Sequence, residues 1–228
     1  MKQNTGQKSR KNKSVVAEDV FAFETLPEGQ RRILEAAVDE FAERGYSATS
    51  TFSIAQRAKV SEALIFKYFK TKAALLKKAI FPVLVSALIP LAIRGMRGVA
   101  ESKHPTFALF LGELIRERLA FAKKHSRQLR VLLQELPLND ELRKSITEIL
   151  STKVLPMIRE QLVFYQKNGS LVNKDADAVL NYFMPQIVTF VVGRAVFGFF
   201  SDVDEEKAIQ NHVDFLINGL VGASAKKP

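Results

Sequence analysis

Apolar residues recur along this chain at three- and four-residue intervals, the period of one face of an α-helix. The first stripe, Ile33, Leu34, Ala37, Val38, Phe41 and Ala42, predicts a helix over about 27–44. Thr25 and Glu28 have the spacing of a capping box, Pro27 is tolerated in a first turn, and Gly45 is a natural stop. Two shorter helices are expected over about 51–57 and 62–69, the first capped by Ser50 or Thr49 and the second by Ser61. Ile54, Ala55, Ala58, Val60, Ile65 and Phe69 are spaced so that two crossed helices share one small core. Lys67, Tyr68, Lys70 and Lys72 fall outside that set and are free to face a partner. This is the layout of a helix-turn-helix, whose second helix enters a major groove.

The rest of the chain reads as further helices with short breaks. After Thr71, itself a cap, a long apolar helix is expected, kinked or broken at Pro82 and Pro90 and ended by Gly95 and Gly98. Further helices are predicted over 105–124, 127–136, 141–167 with Pro156 inside, 175–200 and 204–221, with a turn at 137–140 and a stop at Asn168-Gly169. Val188, Val191, Val192, Ala195, Val196 and Phe199 lie near one another on one late helix, and Val213, Leu216, Ile217 and Leu220 stripe the last. Such stripes are most often internal core. The expected fold is all-α.

From Gly45 to Lys72 the residues resemble, in order, the N-terminal DNA-binding domain of the TetR family of bacterial transcriptional regulators. The matching positions are Gly45-Tyr46, Thr49-Ser50, Ile54-Ala55, Ala58, Val60-Ser61, Ile65-Phe66, Tyr68-Phe69 and Lys72, less than a quarter of the chain. Lys59 stands where the family usually has glycine in the turn, Ala63 where glycine is frequent, and Phe66 in place of a tyrosine whose hydroxyl often reaches phosphate. Lysine in the turn is costly if that position needs a positive φ.

The resemblance implies DNA contacts by Thr49, Ser50 and Thr51 at the start of the second helix, by Ser61, Glu62, Ala63, Lys67 and Tyr68 on the third, and by Lys72. For Thr49 and Ser50 the alternative role is capping alone, and a first-turn glutamate such as Glu62 also suits the helix dipole. The resemblance further implies a ligand-responsive regulator, a repressor, that binds a palindromic operator in double-stranded DNA as a homodimer through 175–200 and 204–221. A small effector in the C-terminal helices would release it. Their Phe, Leu, Ile and Val content points to an apolar pocket, for which Arg94, Arg116, Arg194 or Tyr182 could supply a polar handle, none of them singled out.

Charge agrees with a polyanionic partner. The chain has 228 residues and a formal net charge of +10, with a pI of about 9.8. Between Arg57 and Lys78 the basic residues are Arg57, Lys59, Lys67, Lys70, Lys72, Lys77 and Lys78, against Glu62 alone. Nucleic acid and an anionic membrane surface both fit that balance, so a basic helical lipid- or membrane-surface-binding protein is the alternative function. The apolar run 182–200 carries Pro185, Gln186 and Arg194 and reads as a buried helix, so no membrane span is expected.

Cysteine is absent, which excludes disulfides and thiolate metal sites and suits a cytoplasmic setting. His104, His125 and His212 lack metal-ligand spacing, and no nucleophile elbow or phosphate-binding glycine loop is present. Neither enzyme activity, metal nor cofactor is expected. The expected organisation is a disordered basic arm and linker over 1–24, the helix-turn-helix domain over 25–72, a helical effector-binding and dimerisation domain over 73–222, and a tail over 223–228. The arm either is simply solvated or adds phosphate or minor-groove contacts.

Overall fold

The computed structural model describes residues 26–218 apart from 82–84 and 86–87. The basic arm, Thr25 of the expected capping box, Pro82 and the tail lie outside the described residues. Those described are helical throughout, joined by turns, with no strand among them.

α1 (Glu28–Ala48) buries Ile33, Leu34, Ala37, Val38 and Phe41 along the predicted stripe. Gly45, at φ +78°, breaks its helical path where the stop is expected, and a last turn follows. α2 (Thr51–Ala58) starts at Ser50, whose hydroxyl accepts the Ser53 amide at 2.9 Å while Ser53 Oγ accepts the Ser50 amide at 3.2 Å. This reciprocal cap fixes the helix start. α3 (Glu62–Phe69) is capped by Ser61 as expected. Ile54, Ala55 and Ala58 of α2, Ile65 of α3 and Leu75 of α4 (Lys72–Leu75) close one core against α1. Ile54, Ile65 and Leu75 each contribute about 1.5–3 kcal/mol on burial.

Chain 76–80 continues as a π-helix. α5 (Ile89–Glu101) has Pro90 in its first turn, where the missing N–H costs nothing. The sequence predicts that Gly95 and Gly98 end this helix; instead both lie inside it, and it runs on to Glu101. At Gly95 an added Cβ would meet the ends of the Glu117 and Arg118 side chains, which lie across from it on the next helix.

α6 (Phe107–Lys124) and α7 (Ser126–Glu135) meet at His125. α8 (Asp140–Ile149) and α9 (Leu155–Lys167) are separated by a π-helical turn at 150–154, just before Pro156. Proline has no N–H for the residue four back and would strike its carbonyl, and the wider turn absorbs the mismatch. α10 (Ala176–Ala195) begins at Asp175, as expected, but stops five residues short of the expected Phe200. Arg194 donates to the carbonyls of Phe200 and Val203 at 2.8 and 2.7 Å, and Gly198 takes φ +71°, so the chain reverses there. α11 (Glu205–Asn218) follows.

A second core joins α5, α6, α9, α10 and α11, with Phe107, Phe110, Leu114, Ile158, Tyr165 and Ile187 among its buried members. The two cores meet at α7. Val131 belongs to the N-terminal core and Leu129 packs against both.

Candidate nucleic-acid interface

α3 presents two unlike faces. Ile65 is buried, and Leu64, Tyr68 and Phe69 are half-buried against the N-terminal core. Ala63, Phe66, Lys67 and Lys70, at offsets of three, four and seven, are exposed along one outward stripe. Neither Lys67 nor Lys70 has a side-chain partner among the described residues. Small Ala63 at the N-terminal end lets this face approach another surface closely.

The structure divides the predicted contact residues. Ser50 and Ser61 are exposed caps whose hydroxyls accept the amides of Ser53 and Leu64. Thr51 Oγ1 donates to Glu62 Oε1 at 2.5 Å, tying the start of α2 to the start of α3 across the turn. Both groups are partly buried, and each occupies the other's polar atom. Tyr68, placed by its spacing outside the packed set, is instead half-buried, its ring 6.2 Å from that of Phe69.

Thr49 and Lys72 have internal work. Thr49 is 3% exposed, and its hydroxyl donates to the carbonyls of Gly45 at 2.9 Å and Glu40 at 3.1 Å. Lys72 Nζ donates to the carbonyls of Tyr46 and Thr49, both at 2.8 Å, and stands 4.3 Å from the Tyr46 ring centroid. These bonds satisfy carbonyls freed where Gly45 interrupts α1.

Arg57 belongs to the basic run in the sequence but is neutralised in the fold. Its guanidinium donates to both Glu43 carboxylate oxygens at 2.8 and 2.6 Å and lies 3.0 Å from buried Glu40. The Glu43 bonds raise the Arg57 pKa and hold that of Glu43 below its ordinary value. The turn between α2 and α3 takes the left-handed conformation at Lys59, φ 54° and ψ 48°, and Arg32 donates to the Lys59 carbonyl at 3.1 Å.

Two exposed aromatics extend the surface. Phe66 is 44% exposed beside Lys67, and Phe52, in the first turn of α2, is 58% exposed. Phe52 was missed in the sequence because an aromatic in an amphipathic helix reads as core; only its place off the packed stripe marks it.

A second candidate site lies behind α7. A cavity of about 340 Å³ opens between α5, α6, the 146–154 segment and α10, lined by Met96, Leu114, Leu129, Leu132, Leu150 and Val188 among others. Arg118 is the one polar side chain among its described lining residues. Leu129 and Leu132 line the cavity and also pack against the N-terminal core. A surface groove of about 370 Å³ between α6 and α11 is mixed in character, with Arg116, Gln210 and Asp214 in its lining. No cluster of metal-ligating side chains occurs among the described residues.

Known proteins resemble this arrangement in sequence over the N-terminal domain and in fold over most of the chain. Residues 33–79 match the family described as bacterial regulatory proteins, tetR family. The HTH-type transcriptional regulator YvkB of Bacillus subtilis is 49% identical over 47 residues, 21% of this chain and 25% of that protein. The HTH-type transcriptional repressor Rv3405c of Mycobacterium tuberculosis is 58% identical over 40 residues, 18% of this chain and 21% of the repressor. The matched segment therefore spans about a quarter or less of these curated relatives. Among solved structures, the transcriptional regulator FadR of Bacillus subtilis superposes with a TM-score of 0.61 at 22% identity, covering 83% of this chain and 98% of that one. PfmR, a TetR family regulator of Thermus thermophilus, superposes at 0.59 and 21% identity, covering 85% and 97%. Residues 33–79 thus match the DNA-binding segment of the tetR family, and the fold of the chain is similar to that of solved TetR family regulators.

Proposed function

We propose that this chain is a ligand-responsive transcriptional repressor, working in the cytoplasm, that binds a palindromic operator as a homodimer and is released by a small apolar effector. The outward face of α3 carries this reading: Ala63, Phe66, Lys67 and Lys70 are exposed on one stripe, with both lysines unpaired among the described residues. Small Ala63 lets α3 approach base edges, and Lys67 contacts the phosphate backbone beside them. Ser50, Thr51, Ser61 and Glu62 shape the approach, with free amides of the α2 N-terminus toward phosphate. Thr49, Tyr68 and Lys72 act from behind, by holding the helices in register.

The dimer forms through 175–200 and 204–221. Tyr182 and Val188 of α10 and Phe215 and Ile217 of α11 are all exposed, more apolar surface than two helices of a monomer usually present. α10 also has the length and mean hydropathy, 1.2, of a membrane span. Its buried Val179, Leu180, Ile187 and Val191 already pack in the second core, which favours a protein partner for the exposed face over lipid. Two copies joined there place two α3 helices on one DNA face.

The effector site is the cavity behind α7. FadR of Bacillus subtilis, similar in fold, was solved in complex with stearoyl-CoA, which supports an apolar chain as ligand class. α7 is the coupling element, because Leu129 and Leu132 touch both the cavity and the N-terminal core, and Arg127 pairs with Asp39 of α1 at 3.0 Å. A ligand preferring one α7 position would shift α1 and, through it, α3. The test is selection from random duplex DNA with the purified protein. An enriched inverted repeat whose binding is weakened by Lys67→Ala supports the reading; sequence-independent binding that only fades with salt sinks it.

A further inference from the structure

Among the described residues the cavity behind α7 holds one charged group, and its bonding is incomplete. Arg118 of α6 is 13% exposed at its side chain, and its guanidinium stands 4.8 Å from the ring centroid of Phe121. Its partner is Glu117, the next residue on the same helix, reached through Nε and in contact with Nη2. Neighbouring residues on a helix do not face each other, so this pairing is made by bending both side chains over Gly95 of α5. Nη2 is buried and makes no hydrogen bond of acceptable geometry. Burial lowers the Arg118 pKa, yet a guanidinium remains protonated at neutral pH. A buried cation with an unused donor, walled by hydrocarbon, is a strong receptor for an anion that brings its own apolar body.

The geometry points to an amphiphilic acid as the effector: a hydrocarbon chain in the cavity with its carboxylate on Arg118, displacing Glu117. This rests on the cavity being the effector site proposed above. Glu117 is 25% exposed at its side chain, so it swings to solvent as the ligand carboxylate arrives, and one buried anion replaces another without net charge left behind. The exchange acts on the helix contact. Glu117 occupies the space that a Cβ on Gly95 would fill, and its departure loosens the seam between α5 and α6.

The cavity's 340 Å³ is toward the small end of ligand pockets, roughly 300–1,000 Å³, so dodecanoate and dodecan-1-ol are suitable matched probes. Calorimetric titration of the full chain, below micelle formation, reads the difference. Dodecanoate is expected to bind roughly ten-fold or more tighter than the alcohol. Arg118→Met, which keeps the bulk, should weaken the acid roughly ten- to a hundred-fold and move the alcohol less than about threefold. Arg118→Lys should restore part of the loss. Glu117→Gln, a milder change, removes the internal competitor and should tighten dodecanoate alone. If acid and alcohol bind equally, or Arg118→Met weakens both alike, the charge plays no part and this inference is overturned while the effector site stands. Dodecanoyl-CoA binding tighter than the free acid, untouched by Arg118→Met, overturns it in the same way. If no probe binds wild type, the effector site itself falls, and this inference with it.

Discussion

Arg57→Met separates two roles that a basic residue in a helix-turn-helix can have. Glu40 is 3% exposed at its side chain, with Arg57 Nε at 3.0 Å and Arg44 Nε at 3.5 Å. Removing one partner of a fully buried ion pair costs about 3–5 kcal/mol, mostly through the stranded charge. Arg57 is itself 32% exposed and Arg44 remains, so we halve this and expect about 2 kcal/mol. For a chain of this size that is a fall in Tm of roughly 4–8 °C. Replacing Glu40 as well, in Arg57→Met/Glu40→Met, leaves no stranded carboxylate and should recover at least half of the loss. Urea and thermal unfolding followed by circular dichroism measure both.

The second half of the prediction concerns DNA. Because Arg57 is neutralised within the domain, its loss should leave the salt dependence of operator binding unchanged. Lys67→Ala should reduce the slope of log K against log salt by roughly 0.9 per protomer, close to 2 for a dimer. Fluorescence anisotropy between 50 and 200 mM salt resolves this. A slope change on Arg57→Met matching that of Lys67→Ala, or a double variant no more stable than Arg57→Met, would refute the reasoning.

Other consequences follow from single positions. Lys59→Gly relieves a left-handed residue and should stabilise the N-terminal domain by roughly 0.5–1 kcal/mol, read by thermal melting. Thr49→Val is nearly isosteric and removes a hydroxyl shared by the carbonyls of Glu40 and Gly45; a loss of about 1–2 kcal/mol is expected by denaturant titration. His125 and His212 have their pKa values lowered, chiefly by desolvation. Their folded forms favour the neutral ring, so their contribution is complete above the ordinary histidine pKa near 6.5 and is lost as pH falls below it. Unfolding free energy measured from pH 7 to 5 should therefore decline, and His125→Gln/His212→Gln should flatten that decline. Tyr182→Asp with Phe215→Asp should turn the proposed dimer into a monomer in analytical ultracentrifugation, with circular dichroism preserved, because both side chains are exposed in the single chain.

Periodicity alone located nearly every helix, because each buries one face and the apolar spacing records which. The starts were the most legible. Ser50, Ser61 and Thr71 all cap where the sequence places them, since capping is a local bond between a side chain and an amide three residues on. The ends were less so. Gly95 and Gly98 read as stops and are helix interior, and α10 halts at Ala195 because Arg194 reaches carbonyls that only the folded turn brings near.

The tertiary structure decided which polar groups are available. In the sequence Arg57, Lys67 and Lys72 are equal members of one basic run. In the fold the first is held by carboxylates of α1, the third caps carbonyls at Gly45, and the second alone stands clear. No local rule predicts this, because the acids and carbonyls that claim a cation arrive from another helix. The cavity has the same origin. Its described walls come from residues spread between Ile89 and Val192 on separate helices, and Arg118 becomes the one polar group among them only when those helices close together.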